Sequence, residues 1–318
     1  MRYVVRRVTY LVPTWLGITL LAFVMAQFAP GDPAAAVFAR EHGGRQGSTA
    51  EVERTRDALG LDDPAPQRYL RSVTDALHGD LGTSYTSGLP VADELLERFP
   101  ATFELGAAGT LLAVAIGLPL GILAALRRNS VIDQLTRGGS LVAASMPSFW
   151  IAYLLIILFS IKLRLLPSFG AGGLDHLILP ALALALGEAG FVARLARSSL
   201  LEVLGQEYMT TARAKGLRER RTIGLHAMKN AIPPVVTQIG LIFGLLFATS
   251  AIVEVIFIWP GIGRLAVEAI AQRDYPVIQG FVIFAGTVFV LVNLLVDLVY
   301  QRLDPRISLA GDPQAAVT

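Results

Sequence analysis

Six long apolar runs, almost free of charge, constrain this chain more than any motif in it. They lie at about Val8–Phe28, Thr102–Leu126, Gln134–Ile161, Leu177–Leu195, Pro234–Phe257 and Val277–Tyr300. A bilayer core takes about 20 apolar residues per helix, and each run is of that order. Charged residues make up 16% of the 318 residues and hydrophobic ones 53%, with a mean hydropathy of +0.56. Backbone groups in hydrocarbon must pair internally, which leaves helices or closed barrels. A barrel would show short alternating segments instead of continuous runs. The expected fold class is all-α: a polytopic membrane protein with six transmembrane helices.

Basic residues at the span ends set the orientation. Arg2, Arg6 and Arg7 precede the first span, and Arg127, Arg128 and Arg137 lie between the second and third. A larger group, from Arg194 to Lys229, lies between the fourth and fifth, and Arg302 and Arg306 follow the sixth. Both termini are therefore expected in the cytosol. The sequence pI near 9 is read as this topology signal, with no nucleic-acid partner. The first run is too long for the apolar region of a signal peptide, so it is expected to stay as an uncleaved helix. The absence of cysteine excludes disulfides, thiolate zinc sites and thiol catalysis in this chain.

The expected organisation is an N-terminus and first span at 1–29, an extracytoplasmic insert at 30–100, and a membrane core at 101–318. In the insert, Ser48 or Thr49 is placed to cap a helix ending at Gly60. Pro66–His78 reads as a second short helix and Pro90–Phe99 as a third. The insert has too little apolar surface for its own core. It either packs on the membrane helices or an external partner, or forms a solvated hairpin. Gly117-x-x-x-Gly121 and Gly240-x-x-x-Gly244 allow close helix contact, and Pro119 is expected to kink the second span.

Glu188 lies midway along the fourth span, where a carboxylate requires a compensating environment. It either lines a substrate pathway, pairs with Arg194, or sits protonated against a neighbouring helix. Glu254 and Asp297, near span ends, are expected to be paired or solvated. Gly261-x-Gly263 follows a membrane helix, not a strand, so it is no nucleotide fingerprint, and no GxxxxGK[ST] occurs. The chain is expected to bind no nucleotide itself.

The largest polar interruption is Glu207–Pro234, within a loop at about 198–233. Glu207–Lys215 reads as a helix, with Met209 and Ala212 on one face. Gly216 stops it, and Arg218–Ala231 begins a second helical stretch that Pro233-Pro234 ends. Two short helices joined at a glycine make a knob that a partner's groove can grip. A basic topology loop is the simpler alternative.

Glu207-Tyr208 followed by Thr211-Ala212-Arg213-Ala214-Lys215-Gly216-Leu217 resembles the EAA loop of ABC importer permeases. Further blocks are similar to the dipeptide/oligopeptide/nickel branch: Ala29-Pro-Gly-Asp-Pro33, Gly79-Asp-Leu-Gly-Thr-Ser84, Met146-Pro-Ser-Phe-Trp150, Trp259-Pro-Gly-Ile-Gly263, Asp274-Tyr-Pro276 and Leu303-Asp-Pro-Arg306. The long outer insert resembles the first of that branch's two paired permeases. The resemblance implies a type I ABC importer permease fold and a heterodimer with a second permease. It also implies two cytosolic ATPases that bind ATP and Mg, and an extracytoplasmic substrate-binding protein. The site is the bacterial plasma membrane, and this subunit is no enzyme. Coupling to the ATPases falls on Glu207, Tyr208, Ala212, Arg213, Lys215, Gly216 and Leu217, with Glu188 assigned to the pathway. Thr211 departs from the motif, which has an acidic residue there. The implied cargo is short peptides, with nickel chelates or haem as alternatives in the same branch. A self-sufficient ion-coupled transporter and a non-transporting scaffold are the readings outside it.

Overall fold

The computed structural model describes residues 2–28, 32–216 and 218–303, with the side chains of 2–11, 248 and 296–303 excepted. Leu217, residues 29–31 and 304–306 of two family-like blocks, and the side chain of Asp297 therefore lie outside the described residues. The described chain is helical, and its one extended pairing is an isolated Thr83–Pro90 bridge.

The helices run in the order α1 (Arg2–Gln27), α2 (Pro33–Glu41), α3 (Thr49–Ala58), α4 (Ala65–Leu77), α5 (Val91–Leu126), α6 (Val131–Ser145), α7 (Ser148–Leu155), α8 (Leu174–Leu204), α9 (Glu207–Ala214), α10 (Glu219–Arg221), α11 (Met228–Thr249), α12 (Ala251–Phe257), α13 (Ile262–Gln272) and α14 (Tyr275–Leu303). A π-helical stretch, Ile156–Lys162, extends α7, and another, Thr222–Ala227, joins α10 to α11. Four stretches are long and apolar enough to cross a bilayer alone: α5, α8, Glu219–Phe247 and Tyr275–Leu295. The pair Val131–Ser145 and Ser148–Lys162 makes a fifth if counted as one span. With the 26-residue α1, this is compatible with six.

Three expectations are corrected. Pro90–Phe99 is no separate helix, because α5 runs unbroken from Val91 through Pro100 and Pro119 to Leu126. The third span is not straight: its halves meet at 105°. The residue before a proline is pushed out of the helical region, and Met146 accordingly takes ψ 126° ahead of Pro147. Pro233-Pro234 does not end a helix, since α11 begins at Met228 and passes through both.

The chain divides into two units. The first comprises Met1–Thr102 and Pro260–Leu291. In it α4 packs on α1 and α14. Tyr69 stacks edge-on to Phe23 at 5.5 Å, its hydroxyl lies 3.0 Å from Thr19 Oγ1, and Gln279 Nε2 donates to Ser72 Oγ at 3.0 Å. Trp15 Nε1 donates to Thr287 Oγ1 at 2.9 Å, tying α1 to α14. The insert is thus no solvated hairpin. Its helices start as their local chemistry dictates: Asp32 accepts from Ala34 N at the head of α2, and Ser48 donates through N and Oγ to Glu51 Oε2 at the head of α3.

Two family-like blocks meet in this unit. Asp274, 2% exposed, accepts from Ser84 Oγ at 2.6 Å, Tyr85 N at 3.1 Å and Thr86 N at 3.0 Å. One buried carboxylate thereby holds the loop before α5. Leaving a buried donor unpaired costs about 1–3 kcal/mol. Asp274→Ala is expected to speed proteolytic cleavage within residues 83–90 of the purified protein, and Asp274→Asn to do so less. Equal rates for both variants and the parent would remove this role.

The second unit comprises Phe103–Trp259 and Val292–Thr318. Its centre is α8, whose buried face is mostly small: Ala181, Ala183, Ala185, Ala189, Gly190, Ala193 and Ala196. A Cβ on Gly121 would stand 2.5 Å from the Ala193 carbonyl oxygen and one on Gly190 2.8 Å from that of Ser140. The Gly117–Gly121 pair therefore seats α5 on α8 within one chain. Overpacking of this kind typically costs about 1–3 kcal/mol. Gly121→Leu should lower the thermal midpoint of the solubilised protein and its yield in membranes; an unchanged midpoint would contradict the close approach.

Candidate functional site

The described residues among the expected coupling set, Glu207, Tyr208, Ala212, Arg213, Lys215 and Gly216, lie together on α9 and the turn that follows it. Helix α9 starts at Glu207, an acidic residue where a helix N-terminus favours one. Its inner face is set by Met209, which is fully buried among Ala125, Leu200, Ala227 and Ala231. Those four residues come from α5, α8, the π-helical stretch and α11, so one side chain roots α9 in four parts of the unit. Ala212, one turn on, is half-buried on the same side, whereas Thr211, Arg213 and Lys215 are exposed. Tyr208 is partly exposed and its hydroxyl accepts from Asn230 Nδ2 at 3.0 Å, while the same amide donates to the His226 carbonyl at 2.9 Å.

The turn after α9 depends on Gly216, at φ +75°. Its N–H donates to the Arg213 carbonyl at 2.9 Å. A Cβ there would meet nothing within 4 Å, so the need for glycine comes from backbone conformation and not from space. Arg213 bridges the turn, with Nε and Nη2 3.3 and 3.0 Å from the Glu219 carboxylate. Arg213 is thus engaged within the chain. Both partners are exposed, so the pair contributes little stability. Lys215, Arg218, Arg220 and Arg221 face outward. Thr211 Oγ1 donates back to the Glu207 carbonyl at 3.2 Å.

Glu188 lies elsewhere in the same unit, in a cavity of ≈350 Å³ formed by the Met146–Pro147 bend, α8 and α11. The pairing of Glu188 with Arg194 that the sequence left open does not occur. Arg194 Nη1 donates to the Ser140 carbonyl at 2.8 Å and the guanidinium lies 5.8 Å from the Phe191 ring centroid. Among the described residues Glu188 has neither a hydrogen bond nor an ion pair. Glu254 is fully buried and accepts from Ser250 Oγ at 2.8 Å; it is paired, not solvated.

One strong polar contact escaped the sequence reading. Arg197 Nε and Nη2 reach the two oxygens of Asp133 at 2.6 and 2.8 Å, and Asn129 N donates to the same carboxylate at 2.9 Å. Residues 64 apart in sequence carry no local signal of such pairing. The one available clue was an acid near the start of an apolar run.

Long apolar helices, a rooted helical knob on an exposed loop and a proline-bent span define a polytopic all-α membrane protein. Comparison with known proteins specifies the class. Residues 117–309 match the model of the family described as "Binding-protein-dependent transport system inner membrane component", and residues 1–106 match "Binding-prot-dependent transport system membrane comp, N-term". The dipeptide transport system permease protein DppB of Escherichia coli (strain K12) is 40% identical, over 96% of this chain and 98% of that protein. The glutathione transport system permease protein GsiC of Pectobacterium atrosepticum is 41% identical, over 96% and 99%. Among solved structures, an inward-facing MetNI methionine ABC transporter chain superposes with a TM-score of 0.56 at 20% identity, covering 66% of this chain and 96% of that one. An amino acid ABC transporter chain does so at 0.52 and 20%, covering 66% and 94%.

The chain belongs to the family of binding-protein-dependent transport system inner membrane components. It is a multi-pass inner-membrane permease subunit of an ABC importer, with that class's fold and without catalytic function of its own.

Proposed function

We propose that this subunit forms half of the translocation pathway of a peptide importer, paired with a second, homologous permease. Two cytosolic ATPases grip the knob at Glu207–Leu217, and closure on ATP and Mg is transmitted through it. An extracytoplasmic binding protein delivers the cargo. Both termini and the 198–233 loop lie in the cytosol, residues 30–100 outside, and the core permease domain is 101–318. Glu188 faces the pathway.

The observation that carries this reading is the seating of Met209. A short helix whose outer face is exposed, and whose inner face is buried against α5, α8 and α11, transmits a push on its surface directly to membrane helices. Short peptides are the favoured cargo because the relatives over nearly the whole chain are named for dipeptide and glutathione transport.

Co-purification of the assembled complex, with mass spectrometry of ligand on its external subunit, tests cargo and partners together. Short peptides are expected; a nickel chelate or haem would replace that cargo. Uptake by this chain alone in liposomes, driven by an ion gradient without ATPases, would overturn the ABC-coupled mechanism. The chain lacks cysteine, so single cysteines placed at Lys215 and at Ser72 report orientation without background. Labelling of both from the same side would overturn the proposed topology.

A further inference from the structure

The cavity at the Pro147 bend presents two opposite charges that do not touch. Glu188 and Arg194 both line it, yet neither is the other's partner. Charges at membrane depth are ordinarily neutralised by pairing. Here Arg194 commits one of its five N–H donors to Ser140, and Glu188 has no partner among the described residues. Six residues apart on one α-helix, their Cα atoms are separated by about 9 Å along the axis. Two or three extended residues span about 7–11 Å. The volume of ≈350 Å³ falls within the range of about 300–1,000 Å³ typical of small-molecule sites. Met146, Ile151, Phe191 and Leu245 supply apolar wall, and Ser148 and Thr249 supply hydroxyls.

The geometry points to a binding site for a zwitterionic di- or tripeptide within this subunit: the Glu188 carboxylate receives the α-ammonium, and the free edge of the Arg194 guanidinium receives the terminal carboxylate. A guanidinium fork suits a carboxylate bidentately. This rests on the peptide-importer reading and adds to it a recognition step inside the membrane, in which both termini of the cargo are read.

The test uses the assembled importer in nanodiscs, without its binding protein, and measures equilibrium binding of Gly-Leu, N-acetyl-Gly-Leu and Gly-Leu-amide. Glu188→Gln is expected to weaken Gly-Leu about 10- to 100-fold, the worth of one charged hydrogen-bonded contact, and to leave N-acetyl-Gly-Leu unchanged. Arg194→Gln is expected to weaken Gly-Leu similarly and leave Gly-Leu-amide unchanged, with Arg194→Lys recovering part of the loss. Equal shifts for all three ligands, no binding of Gly-Leu to the parent complex, or displacement of Gly-Leu by phosphatidylethanolamine in the nanodisc would each overturn the site. ATP-driven Gly-Leu uptake by liposomes carrying the full complex separates the two levels. If it persists at parental rates in both variants, the site fails and the importer reading stands. If the parent takes up no peptide, the importer reading itself fails.

Discussion

A Gly216→Val variant is expected to insert and assemble but to lose most of its ATP-driven uptake. The glycine sits at φ +75°, where an L-residue costs about 1–2 kcal/mol and a β-branched one is a rare outlier. Because a Cβ there meets nothing within 4 Å, the penalty on the Cβ is conformational and not steric. The turn relieves it by returning to negative φ, which swings the end of α9 away from Glu219 and breaks the Arg213 bridge. A penalty of that size shifts the equilibrium between the native and relaxed turns by about 5- to 30-fold, and uptake should fall by up to that factor. In the proposed coupling role, substrate-stimulated ATP hydrolysis should fall with it, because the knob would no longer present one surface to the ATPases. Gly216→Asn provides the discriminating control, because asparagine tolerates the left-handed region. Near-parental uptake is expected for Asn and a loss for Val. If both variants transport alike, and ATPase coupling is normal in each, the conformational role of Gly216 is wrong.

The second large effect is expected at Asp133, where removing one charge should do more harm than removing two. Its carboxylate is nearly inaccessible, at 1% side-chain exposure against 19% for Arg197, and the contact joins α6 to α8. Arg194 to Ser140 and Gly190 against Ser140 continue the same seam. Breaking one partner of a buried pair leaves the other charge uncompensated, whereas replacing both by apolar groups of similar volume is often near neutral. Asp133→Asn is therefore expected to lower the thermal midpoint by several degrees and to reduce folded yield. Asp133→Leu combined with Arg197→Met should recover much of that loss, and Arg197→Lys, which forfeits the bidentate fork, should fall between. A double variant less stable than Asp133→Asn would show that the pair is held by attraction and not by the cost of separating it.

The prolines show where local reading ends. Pro147 bends a span by 105°, while Pro100 and Pro119 in α5 and Pro233-Pro234 in α11 pass within continuous helices. A proline removes one N–H and crowds the preceding turn in every case. The outcome depends on what packs against the freed carbonyls and on whether the preceding residue turns extended, as Met146 does. Neither is written within a few residues of the proline. The glycine pairs behave likewise. Gly117 and Gly121 announce a close helix contact, but that the partner is α8 of the same chain follows only from the packing.

By itself the sequence determined the class of molecule, the approximate spans and the place of the knob. These rest on hydrocarbon thickness, on the need to pair every backbone group in it, and on a glycine following an amphipathic helix, all of which act over short stretches of chain. The tertiary structure alone decided that α9 is rooted through Met209, that Asp274 holds the loop of Ser84, that Asp133 pairs with Arg197, and that Glu188 and Arg194 face one cavity without meeting. Each of those depends on how segments distant in sequence pack together, and the partners are selected by the geometry of the assembled bundle, which no local pattern encodes.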